Sequence, residues 1–281
     1  MTEFKEVKIS RILNPTSIDL GEYVINPYMG CEFSCLYCYV RSNRVISKRP
    51  GEWGGYVDMR VNAPELLEKE IKIKKPKRVL LGSTTDCFQP VETKYAITKK
   101  ILEILNKNGV YYSILTRSPI AAEYIDTLKQ GFCEHIYFTI NNIPDDLKAR
   151  LEPKSPGCES RIRAINKLLE AGINVTPYFS PILPWASVIQ GVFPLFPNAD
   201  SVEFEGLNLN LANIADIINA VASLRPGLRP DYERLSKDRA FYDSFWAGVK
   251  KDIIKEAIKY KKNYNIHIHR FGGYFNNKYQ A

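Results

Sequence analysis

The chain has 281 residues, of which 45% are hydrophobic and 25% are charged, and its formal net charge is +8. The composition is ordinary for a globular protein, and no apolar run reaches the roughly 18 residues that a transmembrane helix needs. The segment "MTEFKEVKIS" lacks the order of a signal peptide, so we expect a cytoplasmic protein whose six cysteines are reduced thiols. The positive charge permits a polyanionic partner but does not require one.

Short β-branched or aromatic runs alternate with segments of helical period along most of the chain, which predicts repeated βα units. We predict strands at 23–26, 78–83, 110–116, 135–140, 173–179 and 201–206. We predict helices at 63–74, 94–108, 120–129 and 160–171, then a long helix at 238–261 and a last strand within "NIHIHRF". The predicted fold is an α/β partial (β/α)6 barrel of the TIM type over residues 1–206, with a C-terminal extension of helix and strand at 207–281.

Functional side chains in such a fold gather on the loops that follow the carboxyl ends of the strands. The loop after the first predicted strand, within "NPYMGCEFSCLYCYVR", carries Cys31, Cys35 and Cys38. Three thiolates can occupy three corners of a tetrahedral metal ion or of an iron-sulfur cubane. A structural zinc site needs a second ligand pair, which the sequence does not offer, so a site left open at one position is favoured over closed zinc or merely buried cysteines, and zinc, copper(I) and iron-sulfur clusters are the metals that thiolates suit.

The Cys31-x-x-x-Cys35-x-x-Cys38 motif after a first strand resembles the signature of the radical S-adenosylmethionine (SAM) enzymes. The resemblance implies a 4Fe-4S cluster on the three cysteines, SAM on its fourth iron, and an external electron donor of the flavodoxin or ferredoxin type. It also implies cleavage of SAM to methionine and a 5'-deoxyadenosyl radical that abstracts hydrogen from a substrate. The segments "GSTTDCFQPVE", "LTRS", "LEPKSPGCESRIRAINKLLEAGI" and "PILP" are similar to the spore photoproduct lyase-like branch.

The same resemblance assigns further residues to SAM. These residues are Tyr37, Ser83, Thr84, Thr85, Ser118, Thr139, Asn141 and Arg161. Tyr37 matches an aromatic that packs near the adenine of SAM. The three residues after the second predicted strand match the region that meets the methionine amine. The last four residues lie where polar groups reach the carboxylate or the ribose of SAM. Arg161 could bind the SAM carboxylate, because a guanidinium offers it a rigid fork of donors. The alternative for Arg161 is a surface ion pair, and the alternative for Ser118 is an N-cap role.

The chain departs from spore photoproduct lyase at the position of a hydrogen-donating cysteine after the second strand, where it carries Ser83. A hydroxyl O–H bond is too strong for that role, which argues against thymine-dimer repair. Cys87 and Cys158 lie on the same predicted rim and are candidate hydrogen donors, with inert packing as the alternative. Tyr39 matches a tyrosine of the lyase that helps to relay hydrogen, or else it packs beneath the cysteine loop.

Basic and aromatic residues follow the third cysteine. They are Arg41, Arg44, Lys48, Arg49, Trp53 and Tyr56. This composition suits phosphate contacts and base stacking, with a solvated loop as the alternative.

Near the C-terminus, His267 and His269 lie two apart on a predicted strand and would share a metal only with a third ligand.

The function predicted from these features is radical SAM chemistry on a nucleic-acid base or nucleotide. One alternative is radical modification of a small molecule or of a peptide or protein side chain, for which a basic rim is not required. Another alternative, from a different class, is a non-catalytic iron-sulfur or zinc nucleic-acid-binding module, which would not cleave SAM.

Overall fold

The computed structural model describes residues 2–42, 49 and 51–272. Its strands are β1 Glu3–Val7, β2 Asn14–Pro15, β3 Tyr23–Ile25, β4 Tyr28–Met29, β5 Tyr56–Arg60, β6 Arg78–Leu81, β7 Tyr111–Thr116, β8 Cys133–Ile140, β9 Val175–Ile182, β10 Ser201–Gly206 and β11 Asn263–His267. Its α-helices are α1 Ala63–Lys74, α2 Glu92–Tyr95, α3 Ile97–Lys107, α4 Ile125–Leu128, α5 Asp145–Leu151, α6 Cys158–Glu170, α7 Ile214–Leu224, α8 Arg229–Lys237 and α9 Arg239–Tyr260.

The main sheet has the strand order β11-β10-β9-β8-β7-β6-β3-β2. Neighbouring strands are parallel throughout, except that β2 pairs antiparallel with β3. The six predicted strands therefore stand side by side as β3 and β6 to β10, and the predicted last strand extends the sheet as β11. Within the described residues the pairing runs from β11 to β2 without closing, so the α/β fold with a mostly parallel, open sheet is confirmed.

Alternate residues of the sheet pack against the helices. In β10, Val202, Phe204 and Gly206 are buried, whereas the residues between them are partly exposed. The Phe204 ring lies 5.7 Å from both Phe179 and Phe193. A Cβ on Gly206 would sit 2.8 Å from the Trp246 ring of α9, so this face is covered by helix. The intervening residues therefore point to the opposite, inner face of the sheet.

The predicted helix at 94–108 is divided in two by Ala96, which has a φ of +48°. The Glu92 carboxylate accepts backbone N–H groups of Thr98 at 2.9 Å and Lys99 at 3.1 Å, so it caps the start of α3 from the preceding helix α2. This cap satisfies donors that would otherwise be left unpaired at the helix start. The predicted helix at 120–129 is likewise divided, into a 3-10 turn at Pro119–Glu123 and α4.

A second, three-stranded sheet in the order β1-β5-β4 was not predicted from the sequence. At the other end of the chain the predicted long helix is confirmed as α9, where the Asp238 carboxylate caps the N-terminus by accepting the Phe241 N–H at 3.0 Å. Residues on both sides of Gly206 join one hydrophobic core, and a domain division at that point stays a prediction. In the part of the chain that the structure describes, none of the helices has the length and apolar character to cross a bilayer.

Candidate active site

The three cysteines of the motif lie on one short loop between β4 and a 3-10 turn that follows it. Cys31 and Cys35 are 8% and 5% exposed, and Cys38 is partly buried. The chain enters the loop through Gly30, whose φ is +89° and where a Cβ would sit 2.3 Å from the Tyr56 carbonyl oxygen of β5. A side chain at this position would force β5 away, so the sharp departure of the loop from β4 requires glycine.

Burial dominates the electrostatics of these thiols. It raises the pKa of Cys31 and Cys35 and raises that of Cys38 to about 12, because a desolvated thiolate is unfavourable. Backbone N–H groups of Asp86 and Phe33 point at the Cys31 sulfur and lower its pKa in part. Since the thiolate is the form that binds metal, a bound cationic centre is what would compensate for this burial.

The three thiols do not form a closed site for one metal ion in the part of the chain that the structure describes. Among the residues the structure describes, no three His, Cys, Asp or Glu side chains converge as the ligands of one metal ion. In a cubane each cysteine binds a different iron, so its ligands need not converge on one point. Two buried thiols and one partly buried thiol on a single loop, with N–H donors directed at sulfur, are compatible with the thiolate ligands of a metal centre.

Cys35 belongs to a buried polar network that sequence patterns did not reveal. The Arg117 Nη1 atom lies 3.1 Å from the Cys35 sulfur and 3.1 Å from the Tyr37 hydroxyl oxygen. The Ser155 hydroxyl lies 3.6 Å from the same sulfur, and the Tyr37 hydroxyl donates to the Glu152 carboxylate. The motif segments "LTRS" and "LEPKSPG" contain these residues, but nothing in their spacing indicated contact with the cysteine loop.

Arg161, predicted to bind the SAM carboxylate, lies inside this network. Its side chain is 1% exposed, and its Nη2 atom donates to Glu152. Its Nε atom donates to the Pro156 carbonyl oxygen at 3.0 Å. The surface ion pair considered as the alternative is therefore wrong, because the pair is buried, whereas the carboxylate contact stays a prediction. Its Nη1 atom is buried and has no hydrogen-bond partner among the described residues.

The loop after β6 carries the residues predicted to meet the methionine amine, and it contacts the cysteine loop. Asn26 bridges to it, with its Nδ2 atom donating to the Ser83 hydroxyl at 3.1 Å and its Oδ1 atom accepting the Thr84 N–H at 2.9 Å. The Thr85 hydroxyl donates to the Gly30 carbonyl oxygen at 2.6 Å. These contacts bring all three residues to the edge of the sheet where the cysteines lie.

The two candidate hydrogen donors, Cys87 and Cys158, and the candidate relay residue Tyr39 occupy different environments. Tyr39 is 47% exposed and its hydroxyl donates to the Ser83 carbonyl oxygen, so it lies at the rim beside the loop after β6. Cys87 is fully buried, and burial raises the pKa of its thiol. Cys158 is partly buried at the start of α6. Their roles stay predictions, and the exposure of Tyr39 suits contact with a bound molecule better than the burial of Cys87.

Two of the three polar residues predicted at the ends of β7 and β8 are held by the protein itself. Ser118 is 1% exposed and caps the 3-10 turn by accepting the Ile120 N–H at 3.3 Å, which is the alternative role considered for it. The Asn141 side chain is buried and donates to the Pro181 carbonyl oxygen at 3.0 Å. Thr139 is partly exposed on the inner face of β8. SAM contacts by these three residues stay predictions.

The basic segment after the cysteines differs from the predicted phosphate-contacting loop. Arg49 forms a two-pronged ion pair with Asp58 at 2.9 and 3.0 Å, and its guanidinium lies 4.7 Å from the centre of the Tyr56 ring. Tyr56 is 2% exposed, so stacking of a base on this ring is wrong. Arg44 and Lys48 lie outside the described residues.

A series of ring contacts crosses the inner face of the sheet. The ring centres of His135 and Tyr137 are 4.4 Å apart, those of Tyr137 and Tyr178 are 6.5 Å apart, and those of Tyr178 and His267 are 6.4 Å apart. All four side chains are partly exposed. The inner face of β8 to β11 therefore offers aromatic surface that the protein core does not cover.

Acidic residues of β10 lie beside these rings and pair with the two C-terminal histidines. The His267 Nε2 atom is 3.4 Å from Glu203, and the His269 Nε2 atom is 3.1 Å from Glu205. Glu205 also accepts the Ser180 hydroxyl at 2.5 Å. The two histidines thus take separate carboxylate partners, and the structure gives no support to a metal shared between them.

The inner face reaches the cysteine loop through the loops at the carboxyl ends of the strands. The Asn213 Nδ2 atom, beyond β10, donates to the Leu36 carbonyl oxygen at 2.5 Å. The Leu36 N–H donates to the Leu151 carbonyl oxygen, beyond β8, at 2.8 Å. The cysteines and the loops beyond β6, β8 and β10 therefore lie together at the carboxyl end of the open sheet, as the βα arrangement predicted.

Comparisons with known proteins agree with this architecture. A solved structure of spore photoproduct lyase complexed with dinucleoside spore photoproduct aligns with a TM-score of 0.65 over 95% of this chain and 82% of that chain, at 17% identity. An uncharacterized protein of Methanocaldococcus jannaschii, MJ0683, is 36% identical over 185 residues, which are 65% of this chain and 68% of that protein. A radical SAM Nalpha-GlyT isomerase of Pseudomonas phage M6 is 26% identical over 238 residues, which are 81% of this chain and 47% of that protein.

The family model of the radical SAM superfamily matches residues 25–185. That range begins in β3, contains the three cysteines, and ends just beyond β9. The residues it covers include the loop after β6 and the network around Cys35. The chain therefore belongs to the radical SAM superfamily.

Proposed function

We propose that the protein is an enzyme that reductively cleaves SAM at a 4Fe-4S cluster and abstracts hydrogen from a nucleobase. The observation that carries this proposal is the loop of three thiols, two buried and one partly buried, at the carboxyl end of a parallel sheet, with N–H donors directed at their sulfurs. Cys31, Cys35 and Cys38 would hold three irons of the cluster, and SAM would bind the fourth. When bound, the cluster and SAM together supply the 5'-deoxyadenosyl radical.

The residues around the loop would position SAM and keep water out. The loop after β6, with Ser83, Thr84 and Thr85, would face the methionine amine, and Arg161 would reach the carboxylate only through the one guanidinium nitrogen that Glu152 and Pro156 leave unpaired. Burial of the surrounding groups supports this role, because a dry site protects a reactive radical from side reactions.

The inner face supports a nucleobase as the group that enters the site. The rings of Tyr137 and Tyr178 offer the stacking surface that suits any planar base. The carboxylates of Glu203 and Glu205 can accept N–H donors from a base edge, whereas they would repel a phosphate. A substrate that places its base toward these residues and its phosphates toward solvent fits both features.

One comparison, with the spore photoproduct lyase complex, supports a nucleic-acid substrate class. The spore photoproduct lyase structure is a complex with a dinucleoside, and the phage relative is named as an isomerase of Nalpha-GlyT. This chain carries Ser83 where the lyase places its hydrogen-donating cysteine, so we propose a reaction other than dimer repair, with Cys87 or Cys158 as the hydrogen donor and Tyr39 as a relay. An external flavodoxin-like or ferredoxin-like protein would supply the electron.

A second candidate function is radical modification of a small molecule or of a peptide side chain. The pairing of Arg49 with Asp58 favours this candidate, because it neutralises a charge that a phosphate-binding rim would use. The acidic inner face would also accept an amine or a guanidinium.

The experiment that separates these candidates measures 5'-deoxyadenosine after anaerobic reconstitution with iron and sulfide, reduction by dithionite and addition of SAM. Separate reactions receive DNA, RNA, nucleosides, or amino acids and short peptides. We expect 5'-deoxyadenosine to increase with a nucleic-acid or nucleoside substrate, and deuterium from that labelled substrate to appear in it. Stimulation by amino acids or peptides alone would favour the second candidate, and no 5'-deoxyadenosine from a loaded, reduced protein would contradict both.

A further inference from the structure

The guanidinium of Arg117 is placed to act on one cysteine of the loop. Its Nη1 atom lies 3.1 Å from the Cys35 sulfur, within the range of an N–H···S hydrogen bond. The backbone of Arg117 is fixed by the loop after β6, because its N–H donates to the Asp86 carboxylate at 2.8 Å. Asp86 also accepts the Thr116 hydroxyl at 2.8 Å, so the strand end that carries Arg117 is held at two adjacent residues.

The side chain of Arg117 is also held by the buried network. The same Nη1 atom lies 3.1 Å from the Tyr37 hydroxyl oxygen and 3.5 Å from Glu152. Glu152 is 1% exposed and pairs with Arg161 as well, so two guanidinium groups share one carboxylate. The side chain that faces Cys35 is therefore a charged donor in a position from which water is largely excluded, whereas the Asp86 carboxylate lies at the Arg117 backbone.

We propose that Arg117 raises the reduction potential of the bound cluster by donating a charge-assisted hydrogen bond to the Cys35 thiolate. This inference rests on the proposed function, because it requires a cluster on the three cysteines. Hydrogen bonds to cluster sulfurs and nearby positive charge stabilise the reduced, more negative state, so they make the cluster easier to reduce. The step is a one-electron reduction by the external donor, and no bond to Arg117 forms or breaks. Arg117 is a positioning residue, since it acts through Cys35.

Ser155 gives the same sulfur a second, weaker contact. Its hydroxyl lies 3.6 Å from the Cys35 sulfur and is neutral. It should therefore stabilise the reduced cluster by less than the charged guanidinium does. The two residues predict a graded series of potentials rather than a single effect.

The test is a potentiometric titration of the reconstituted cluster, followed by electron paramagnetic resonance without SAM. Arg117→Met is compared with the wild type and with Arg163→Met, whose side chain is 72% exposed in an ion pair on the surface of α6. We expect the ratio of reduced to oxidised cluster at a fixed potential to fall about tenfold in Arg117→Met, which corresponds to about 59 mV for one electron. Arg163→Met should match the wild type.

Further variants keep the inference testable if Arg117→Met does not retain a cluster. Arg117→Lys keeps the charge and should recover most of the potential, whereas Ser155→Ala should shift it in the same direction as Arg117→Met but by less. Potentials of Arg117→Lys and Ser155→Ala both above that of the wild type would overturn the inference. An unchanged potential in a fully loaded Arg117→Met protein would also overturn the inference. If that variant kept its potential but bound SAM more weakly, the result would show that Arg117 acts on SAM and not on the cluster.

The design separates this inference from the proposed function. If the wild type takes up no cluster, the proposed function fails and the inference fails with it. If the wild type forms a cluster and cleaves SAM, and all variants have the same cluster potential as the wild type, the inference alone fails.

Discussion

Cys31, Cys35 and Cys38 are the residues on which the chemistry depends, and each is buried enough to disfavour its thiolate. Replacing any one of them by alanine removes a ligand that the other two cannot supply. We expect each variant to lose most of its iron and its visible cluster absorption after reconstitution.

Cys133→Ala is the matched control for these variants, since Cys133 starts β8 and is a partly buried thiol outside the loop. It should keep the iron content of the wild type. A loop variant that retained full iron and cleaved SAM would show that the cysteine is not a ligand.

Glu152 is the carboxylate that the structure describes between the buried guanidinium of Arg161 and the partly buried guanidinium of Arg117. Glu152→Gln would leave Arg117 and Arg161 without a neutralising partner, and breaking a buried pair in this way costs about 3 kcal/mol of unfolding free energy. Urea denaturation measures this cost. Glu159→Gln, in an exposed pair with Arg163, should change stability little, and equal effects of the two substitutions would contradict the structural role of the network.

Sequence reasoning found the cysteines because their spacing is local, and it missed their supporting residues because those contacts are not. Arg117 is separated from Cys35 by 82 positions, and Glu152 is separated from Tyr37 by 115 positions. The resemblance to a family predicted that Arg161 belongs to the site. Only the folded chain shows that its guanidinium already pairs with Glu152. Burial and pairing at this level are tertiary properties that one sequence does not encode locally.

At the scale of elements, Gly82 shapes the loop that follows β6. Its φ is +84°, and a Cβ would sit 2.4 Å from the Leu115 carbonyl oxygen of β7. Gly82→Ala should cost more than about 2 kcal/mol of unfolding free energy, because it adds a backbone clash to the cost of the left-handed conformation.

Gly172→Ala is the control for this substitution, since Gly172 has a φ of +78° and no atom within 4 Å of the added Cβ. It should cost only about 1 kcal/mol. Equal costs in urea denaturation would show that the contact with β7 is not a constraint on the loop.

The long elements were predictable and the short ones were not. The strands of the main sheet alternate or run apolar, and α1, at Ala63–Lys74, has the predicted bounds. By contrast β4 has only two residues and β1 is exposed along most of its length, so neither carries a hydrophobic period. The break at Ala96 was missed because the hydrophobic pattern of a helix continues through this position. The carboxylate that caps the second helix belongs to Glu92, in the preceding helix.

At the scale of the whole molecule, the pairing of β10 with β11 should make stability depend on pH. The hydrogen bond to Glu203 raises the pKa of His267, burial opposes this, and Glu205 adds to the increase. A folded pKa above the unfolded value of about 6.5 means that the pair stabilises the fold fully below that pH and less as the pH rises through the folded pKa.

His267→Gln should therefore reduce the unfolding free energy more at about pH 6 than at about pH 9. The comparison requires urea denaturation of the wild type and the variant at both pH values. The groups that face His267 are Glu203, Glu205 and the ring of Tyr178, and Tyr178→Phe keeps the ring but removes the hydroxyl that hydrogen-bonds Glu205, so it should lower stability without the pH dependence of His267→Gln. A difference that grew with rising pH would contradict the assigned direction of the shift.

The central claim is that the three thiols hold a cluster with one iron left for SAM. The most direct measurement is the electron paramagnetic resonance spectrum of the reconstituted, reduced protein before and after SAM is added. We predict the signal of a reduced 4Fe-4S cluster whose g values shift when SAM binds. A fully loaded, reduced cluster whose spectrum SAM leaves unchanged would contradict the claim.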